Sequence, residues 1–221
     1  MTSVPRHLAS GMYAITDCAA LQTPELLART DRILAAGIAA LQYRNKTASF
    51  DEKLIEASAI RSLCVKHGTP LIINDDVDLA LAVCADGVHL GIGDLNCADA
   101  RARLGDDAII GISCYDDLES AVNAQKSGAD YVAFGAFFPT TTKAPRATAD
   151  LDLLRRARPI LNVPVAAIGG ITPENAAPLL SAGADILAVV RSLYGSADPA
   201  DVVLRFNRLF QHPLRFRGAT R

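Results

Sequence analysis

Polar side chains suited to phosphate and metal binding follow several short apolar runs of this 221-residue sequence. Arg44, Lys46 and Lys143 are cations; arginine can hold phosphoryl oxygens through two parallel hydrogen bonds, and lysine can hold them as a point charge. Asp75 and Asp94 are hard oxygen ligands, and two carboxylates combined with phosphate oxygens suit Mg²⁺, which keeps several of its waters. These residue types predict a site for a magnesium-bound diphosphate.

A second phosphate site is predicted where two later apolar runs end. Gly169-Gly170 follows one run and lets backbone N–H groups approach an anion closely, and Val190-Arg191 follows the next. Two phosphate sites and a pair of metal ligands imply one diphosphate substrate and one monophosphorylated substrate. Further polar residues at the ends of the runs are Gln42, Asn74, Asp76, His89, Ser113, Thr140, Thr141 and Thr142.

Each of these features also has a simpler structural explanation. Arg44 and Lys46 fit a solvated loop, and the Asn-Asp-Asp run fits a helix N-cap, with Asp76 as the capping residue. His89 alone fits a packed histidine at a strand end, and Gly169-Gly170 fits a tight turn. The functional interpretation rests on convergence, because scattered surface residues have no reason to collect at one end of consecutive strands.

The apolar runs themselves predict a single-domain α/β protein, a (β/α)8 TIM barrel spanning residues 1–221 with a core of about 11–210. Each run is followed by a polar turn and a segment with helical spacing, and runs apolar at nearly every position are typical of parallel strands buried on both faces. A recurring helix-to-strand joint, Ser127-Gly128-Ala129-Asp130 and Ala182-Gly183-Ala184-Asp185, favours a closed barrel over a doubly wound open sheet. The eight runs are Met12–Thr16, Ala39–Tyr43, Leu71–Ile73, Gly87–Leu90, Ile109–Ile112, Tyr131–Phe134, Val165–Ile168 and Ile186–Val189.

Composition narrows the classes of partner and the compartment. The 22 basic and 24 acidic residues give a formal charge of −2, which argues against nucleic acid or an anionic membrane as a partner. The N-terminus has no apolar targeting segment, and no apolar run is long enough to span a membrane. An odd number of scattered cysteines predicts free thiols in a reducing compartment, the cytoplasm. The five cysteines are Cys18, Cys64, Cys84, Cys97 and Cys114.

Five segments together resemble the thiamine phosphate synthase (thiamine-phosphate pyrophosphorylase) family, from about Gly11 to Phe210. The resemblance implies a TIM barrel that joins 4-amino-5-hydroxymethyl-2-methylpyrimidine diphosphate to 4-methyl-5-(2-phosphoethyl)thiazole, giving thiamine phosphate and diphosphate, with Mg²⁺ required. The segments are Gln42-Tyr43-Arg44-Asn45-Lys46, Ile73-Asn74-Asp75-Asp76-Val77-Asp78, Gly87-Val88-His89-Leu90-Gly91, Phe138-Pro139-Thr140-Thr141-Thr142-Lys143 and Ile168-Gly169-Gly170-Ile171.

The same resemblance implies a role for each matched residue. Asp75 and Asp94 would bind Mg²⁺, and His89 would lie near the pyrimidine. Arg44, Lys46, Lys143 and Ser113 would act on the departing diphosphate. The full set expected around the pyrimidine diphosphate is Gln42, Tyr43, Arg44, Asn45, Lys46, Asn74, Ser113 and Lys143. The set expected around the thiazole phosphate is Thr140, Thr141, Thr142, Gly170, Val190 and Arg191.

The sequence departs from the family pattern at three places. Ile92 stands where the family has glutamine, Arg191 stands where it has serine or threonine, and Ala147–Ala149 replaces a Pro-x-Gly. The alternatives are a thiazole tautomerase on the same barrel, a non-catalytic barrel that binds phosphorylated metabolites, and an unrelated phosphosugar isomerase. The intact acidic run and Lys143 favour coupling. No Ser-His-Asp or Cys-His pattern is visible, which agrees with a dissociative substitution that needs no protein nucleophile.

Overall fold

Eight parallel strands form a closed barrel in the computed structural model, which describes residues 8–139 and 147–211. All eight predicted runs become strands, with ends that shift by up to three residues. The strands are β1 (Gly11–Ile15), β2 (Ala40–Tyr43), β3 (Leu71–Asn74), β4 (Gly87–Leu90), β5 (Ile109–Tyr115), β6 (Tyr131–Gly135), β7 (Val165–Ile168) and β8 (Ile186–Val189).

Strand order settles the choice between a closed barrel and an open sheet. Neighbours follow chain order from β1 to β8, and β1 then pairs with β8, with Tyr13 opposite Ala188. Closure of this kind removes both sheet edges, so the predicted (β/α)8 TIM barrel is confirmed and the doubly wound sheet was wrong.

Helices alternate with the strands and cover the outside of the barrel. Ser49 and Glu52 form a capping box that begins the longest helix, and Gly68 ends it in a left-handed conformation. Among the described residues, no helix is both long and apolar enough to cross a membrane. The helices are α1 (Thr23–Ala35), α2 (Phe50–His67), α3 (Val77–Ala82), α4 (Cys97–Leu104), α5 (Leu118–Lys126), α6 (Leu151–Ala157), α7 (Ala177–Ala182), α8 (Arg191–Tyr194) and α9 (Pro199–Gln211).

The buried apolar residues form two clusters, one inside the barrel and one between barrel and helices. Alternate residues of a strand belong to different clusters: Tyr13 lies inside, whereas Met12 and Ala14 face the helices. Gly111 makes room for Tyr131, one of the tyrosines inside the barrel, because a Cβ there would lie 2.0 Å from the Tyr131 ring. The interior is therefore a packed layer on which the cavity described below rests.

The recurring helix-to-strand joint places an aspartate at the N-terminal end of a strand, where its carboxylate binds the backbone of the neighbouring strand. Asp130, just before β6, accepts hydrogen bonds from the backbone N–H of Ile110 at 2.8 Å and from Arg101 at 2.5 Å. Asp86 and Asp185 make the same kind of link, accepting from Leu71 N at 2.7 Å and Val165 N at 3.0 Å. Each carboxylate thus joins the strand that follows it to the strand before, and each also pairs with an arginine, Arg61 for Asp86 and Arg158 for Asp185.

We expect Asp130→Ala to lower the free energy of unfolding by about 2–3 kcal/mol, because it leaves the backbone N–H of Ile110 without its acceptor and removes the carboxylate that pairs with Arg101. The measurement is urea denaturation at neutral pH. The matched control is Asp152→Ala, which removes an exposed ion pair with Arg156 and should cost less than about 1 kcal/mol. Equal losses in the two variants would contradict the proposed link between strands.

Candidate active site

A cavity of about 670 Å³ opens at the C-terminal ends of the strands. Its size suits small-molecule substrates. The cavity has one wall of polar side chains from β2 to β5 and another of glycine and backbone from β7 and β8. The sequence-predicted residues that line it are Gln42, Arg44, Asn74, His89, Ser113, Gly170, Val190 and Arg191.

Side chains of the segment after β2 alternate between the cavity and the helical layer. Gln42 and Arg44 line the cavity, and Lys46 pairs with Asp75 at its rim. Tyr43 and Asn45, also predicted to hold substrate, turn the other way: Tyr43 donates to Oε2 of Glu56 at 2.8 Å and Asn45 donates to the same atom at 2.9 Å. The structure therefore does not bring these two side chains into the cavity, because an extended chain presents successive residues to opposite sides.

A chain of hydrogen bonds crosses the floor of the cavity. The Gln42 amide donates to the Tyr13 hydroxyl at 2.9 Å, and Tyr13 bonds the Tyr131 hydroxyl at 2.9 Å. Tyr131 in turn bonds Nδ1 of His89 at 2.9 Å, and Nε2 of His89 bonds Ser113 Oγ at 2.8 Å. Neither tyrosine was predicted as a site residue from the sequence, because both lie within apolar runs and resemble ordinary core residues.

The positions of the protons determine which group donates and which accepts in each of these hydrogen bonds. Burial raises the pKa of Tyr13 and of Tyr131, so both phenols keep their protons at neutral pH. Since Gln42 donates to Tyr13, the Tyr13 proton is left for Tyr131 and the Tyr131 proton for Nδ1 of His89. With Nδ1 as the acceptor from Tyr131, the imidazole carries its proton on Nε2 and donates it to Ser113. The Ser113 hydroxyl keeps its own proton for a group inside the cavity.

This direction also decides what the His89–Ser113 pair can do. The sequence showed no serine–histidine pattern, yet the fold brings the two side chains together. A histidine that activates a serine nucleophile accepts the serine proton and is oriented by a carboxylate. Here Nε2 donates to the serine and the other ring nitrogen is held by the phenol of Tyr131. The pair is therefore arranged to present a hydroxyl donor rather than a nucleophile.

Two carboxylates meet beside Lys46 at the rim. Burial alone would raise the pKa of Asp75, but hydrogen bonds with Lys46 and Asp94 hold it below its usual value. Burial and the neighbouring Asp75 charge raise the pKa of Asp94, although the Gly91 N–H, 2.7 Å away, partly opposes them. Asp75 has a φ of 63°, a left-handed conformation that aspartate tolerates better than most residues. Asp76 instead caps α3 by accepting from Leu79 N at 3.0 Å, as the sequence suggested.

The donor set of this pair fits a hard divalent cation. No group of three or more His, Cys, Asp or Glu side chains in residues 8–139 and 147–211 is arranged to hold a metal ion. Zinc sites usually need three or four such protein ligands. Mg²⁺ is commonly bound by one or two carboxylates, with waters and substrate phosphates completing the octahedron. Asp75 and Asp94 match that pattern.

The opposite wall is shaped by Gly170. Its φ is 61°, and a Cβ there would lie 2.4 Å from the carbonyl oxygen of Pro139. Glycine is therefore required by the close approach of the loop after β6, in addition to any role toward an anion. Asn175 holds the turn by donating to the Gly170 carbonyl at 2.9 Å. Arg191, the first residue of α8, lines the same cavity as Gly170.

Several predicted features lie at the margins of the cavity. Ile92 is 70% exposed and does not line the cavity. Ala147 and Ala149 bond the backbone of Ala136, which ties this end of the loop after β6 to the barrel. Thr140, Thr141, Thr142 and Lys143 lie outside the described residues. The polar cavity residues not predicted from the sequence are Tyr13, Thr16, Tyr115, Thr172 and Ser192.

A (β/α)8 barrel with cations, a carboxylate pair and a glycine turn around one cavity defines an enzyme acting on phosphorylated small molecules. The sequence matches the model of the thiamine monophosphate synthase family over residues 12–193. The chain belongs to this family. It is a transferase of thiamine biosynthesis.

Individual relatives agree with this assignment. A thiamine-phosphate synthase of Azoarcus sp. (strain BH72) is 54% identical over 200 residues, covering 90% of this chain and 97% of that protein. The protein of the same name from Methylobacillus flagellatus is 50% identical over 200 residues, covering 90% and 95%. The solved thiamine phosphate pyrophosphorylase from Pyrococcus furiosus superposes with a TM-score of 0.84 at 32% identity, covering 95% and 99%.

We expect Tyr131→Phe to lower kcat/KM for thiamine phosphate formation about 10-fold, because His89 loses the donor that fixes its tautomer. The measurement is steady-state kinetics with both substrates varied. The control is Tyr194→Phe, which removes a buried phenol bonded to Thr30 at 3.0 Å outside the cavity. That variant should lose comparable stability and keep its activity. Equal kinetic losses in the two variants would contradict a role for this series of hydrogen bonds in catalysis.

Proposed function

We propose that the chain joins the pyrimidine diphosphate to the thiazole phosphate inside this cavity, with the two substrates on opposite walls. The wall from β2 to β5 carries Arg44, and Lys46 and the carboxylate pair lie beside this wall, a combination that suits a diphosphate and its cation. The wall from β7 and β8 carries Gly170 and Arg191, which suit a single phosphate. The observation that carries the proposal is the contact of Lys46 with Asp75, and of Asp75 with Asp94, at one edge of the cavity.

The reaction needs one bond to break and one to form. The carbon–oxygen bond at the pyrimidine CH₂ breaks, and its electron pair leaves with the diphosphate. The remaining cation is stabilised by the pyrimidine amino group, and the lone pair of the thiazole nitrogen then forms the new carbon–nitrogen bond. Thiamine phosphate and diphosphate account for all atoms and charges, so no protein nucleophile is required.

The chain's own residues assist by stabilising charge that grows on the leaving group. Arg44 and Lys46 meet the diphosphate oxygens, with Lys143 as a further cation expected from the sequence. Such interactions are stronger in the transition state than in the ground state, because the diphosphate gains negative charge as it departs. Asp75 and Asp94 would hold Mg²⁺, which supplies further positive charge to the same oxygens.

The other cavity residues position the pyrimidine. Ser113 offers a hydroxyl donor directed by His89, and Gln42 and Asn74 offer amides on the same wall. Holding both substrates in one enclosed site lowers the entropic barrier to their encounter, an effect with a ceiling of about 7–11 kcal/mol for ideal orientation.

We infer the cytoplasm as the place of the reaction. The inference is supported by the five cysteines, all of which are free thiols in the described part of the chain. The expectation that neither nucleic acid nor a membrane is a partner remains a prediction from the charge of −2.

We expect thiamine phosphate and diphosphate to appear in equal amounts when both substrates and Mg²⁺ are supplied, and formation to stop when EDTA removes the metal. Asp75→Asn should lower kcat about 100-fold, because it removes a metal-binding charge, whereas asparagine keeps the left-handed backbone. Product formation is measured by chromatography, and the Mg²⁺ concentration for half-maximal rate should rise.

The control is Asp99→Asn on the exposed first turn of α4, which should leave rate and Mg²⁺ response unchanged. Absence of thiamine phosphate under all metal conditions would contradict the proposal. Rearrangement of the thiazole phosphate without coupling would favour the tautomerase alternative, and binding of both ligands without turnover would favour a binding protein.

A further inference from the structure

Glu56 on α2 lies outside the cavity, yet three elements of the site region meet at its carboxylate. Oε2 accepts from the Tyr43 hydroxyl at 2.8 Å and from Nδ2 of Asn45 at 2.9 Å. Oε1 accepts from the Thr23 hydroxyl at 2.6 Å. Three donors thus come from the end of β2, the loop after it and the first turn of α1.

The surroundings of Glu56 favour its ionised form. Burial alone would raise its pKa, but the hydrogen bonds from Thr23, Asn45 and Tyr43 together hold it below the usual value for glutamate. A carboxylate has acceptor sites only, and all three neighbours act as donors. The contacts therefore favour the charged side chain.

Asn45 transmits this anchoring to the loop backbone. Its Nδ2 donates to Glu56, and its Oδ1 accepts from the backbone N–H groups of Thr47 and Ala48, each at 3.2 Å. Because the two ends of the amide have opposite partners, its orientation is fixed. Glu56 is connected through this single side chain to the residues on both sides of Lys46.

A second anchor holds the other end of the loop. The backbone N–H of Arg44 donates to Oγ1 of Thr16 at 2.8 Å, and the Thr16 hydroxyl donates to the Arg44 carbonyl at 3.3 Å. Thr16 follows β1 and is buried. The loop that carries Arg44 and Lys46 is therefore tied to the barrel by Thr16 and to the helical layer by Glu56.

We propose that Glu56 is a positioning residue which, through Asn45 and Tyr43, sets where Arg44 and Lys46 meet the diphosphate of the substrate. The inference rests on the proposed function, in which these two cations hold the diphosphate. Alternation along the extended segment connects the roles: Tyr43 and Asn45 reach Glu56, whereas Gln42 and Arg44 line the cavity and Lys46 reaches Asp75. A loop fixed in advance binds its ligand without a further ordering cost.

The test is Glu56→Gln, which keeps the size of the side chain but replaces one acceptor oxygen with a donor NH₂ group. The Thr23 hydroxyl can turn to accept from that group, whereas Tyr43 and Asn45 then donate to a neutral oxygen, a weaker acceptor than a carboxylate. We expect the KM for the pyrimidine diphosphate to rise about 10-fold, because the hydrogen bonds that anchor the loop lose their charge assistance. The KM for the thiazole phosphate should change less than about 2-fold, because its proposed wall is built by β7 and β8. Calorimetric binding of inorganic diphosphate with Mg²⁺ should weaken in the same proportion as the first KM rises.

Two matched variants separate positioning from general stability. Glu52→Gln alters the same helix one turn earlier, within the exposed capping box, and should leave both KM values unchanged. Asn45→Ala should reproduce the selective loss of diphosphate affinity, and adding Glu56→Gln to it should cost much less than in the wild-type background. Asn45→Ala also keeps the proposal testable should Glu56→Gln fail to fold.

Arg44→Ala and Lys46→Ala separate the proposed function from the positioning role of Glu56. If these variants weaken diphosphate binding and the Glu56 and Asn45 variants do not, the positioning role is overturned and the proposed function stands. If Arg44→Ala and Lys46→Ala leave diphosphate binding unchanged, the proposed site and the positioning role both fail. A parallel rise of both KM values in Glu56→Gln would also overturn the positioning role, because it would indicate a general loss of structure.

Discussion

Each strand of the barrel is buried on both faces, and this constraint determines which side chains can reach the substrates. Successive residues must face the interior and the helices in turn, so the last inward position of a strand can contact both the barrel and the cavity. Gln42, Asn74, His89 and Ser113 occupy such positions on four consecutive strands. A shift of β2 by one residue would turn Tyr43 inward in place of Gln42. The register of the strands therefore determines which side chains line the site.

The interior of the barrel carries polar groups because their hydrogen bonds are satisfied. No buried side-chain nitrogen or oxygen in the described part of the chain lacks a partner. The phenols of Tyr13 and Tyr131 make edge-to-face contact with centroids 5.9 Å apart, and the ring of His89 stacks on Tyr131 at 5.4 Å. Packing and hydrogen bonding thus act on the same three rings. Rigid placement follows, since moving one ring would break both kinds of contact.

Much of the fold was predictable because parallel strands buried on both faces appear in the sequence as nearly continuous apolar runs. For the same reason, the sequence does not show which alternate residues of each strand face the interior of the barrel. No polar alternation distinguishes the inward Gln42 and Arg44 from the outward Tyr43 and Asn45, so the whole segment was assigned to substrate. Tyr13 and Tyr131 were missed for the related reason that an aromatic residue within an apolar run is most often core.

Glu56 shows a different limit of sequence analysis. It lies in α2 near two other acids, Asp51 and Glu52, and nothing in its spacing separates it from them. Only the packing of α2 against β2 brings it to Tyr43 and Asn45. Candidate site residues at strand ends can be listed from the sequence because the barrel places all such ends together, whereas residues that act through a neighbour depend on contacts between layers.

The net charge of the chain is a sum over all residues and does not describe the charge at the cavity. A total of −2 argues against nucleic acid and anionic membranes as partners, yet Lys46, Asp75 and Asp94 lie in direct contact at the rim, with Arg44 and Arg191 on the cavity wall. A diphosphate accompanied by a divalent cation itself presents both signs of charge. A rim that offers carboxylates to the metal and cations to the oxygens complements such a ligand while adding little to the net charge. The acidic residues at the mouth are therefore compatible with an anionic substrate, because in this chemistry they bind the substrate's counterion.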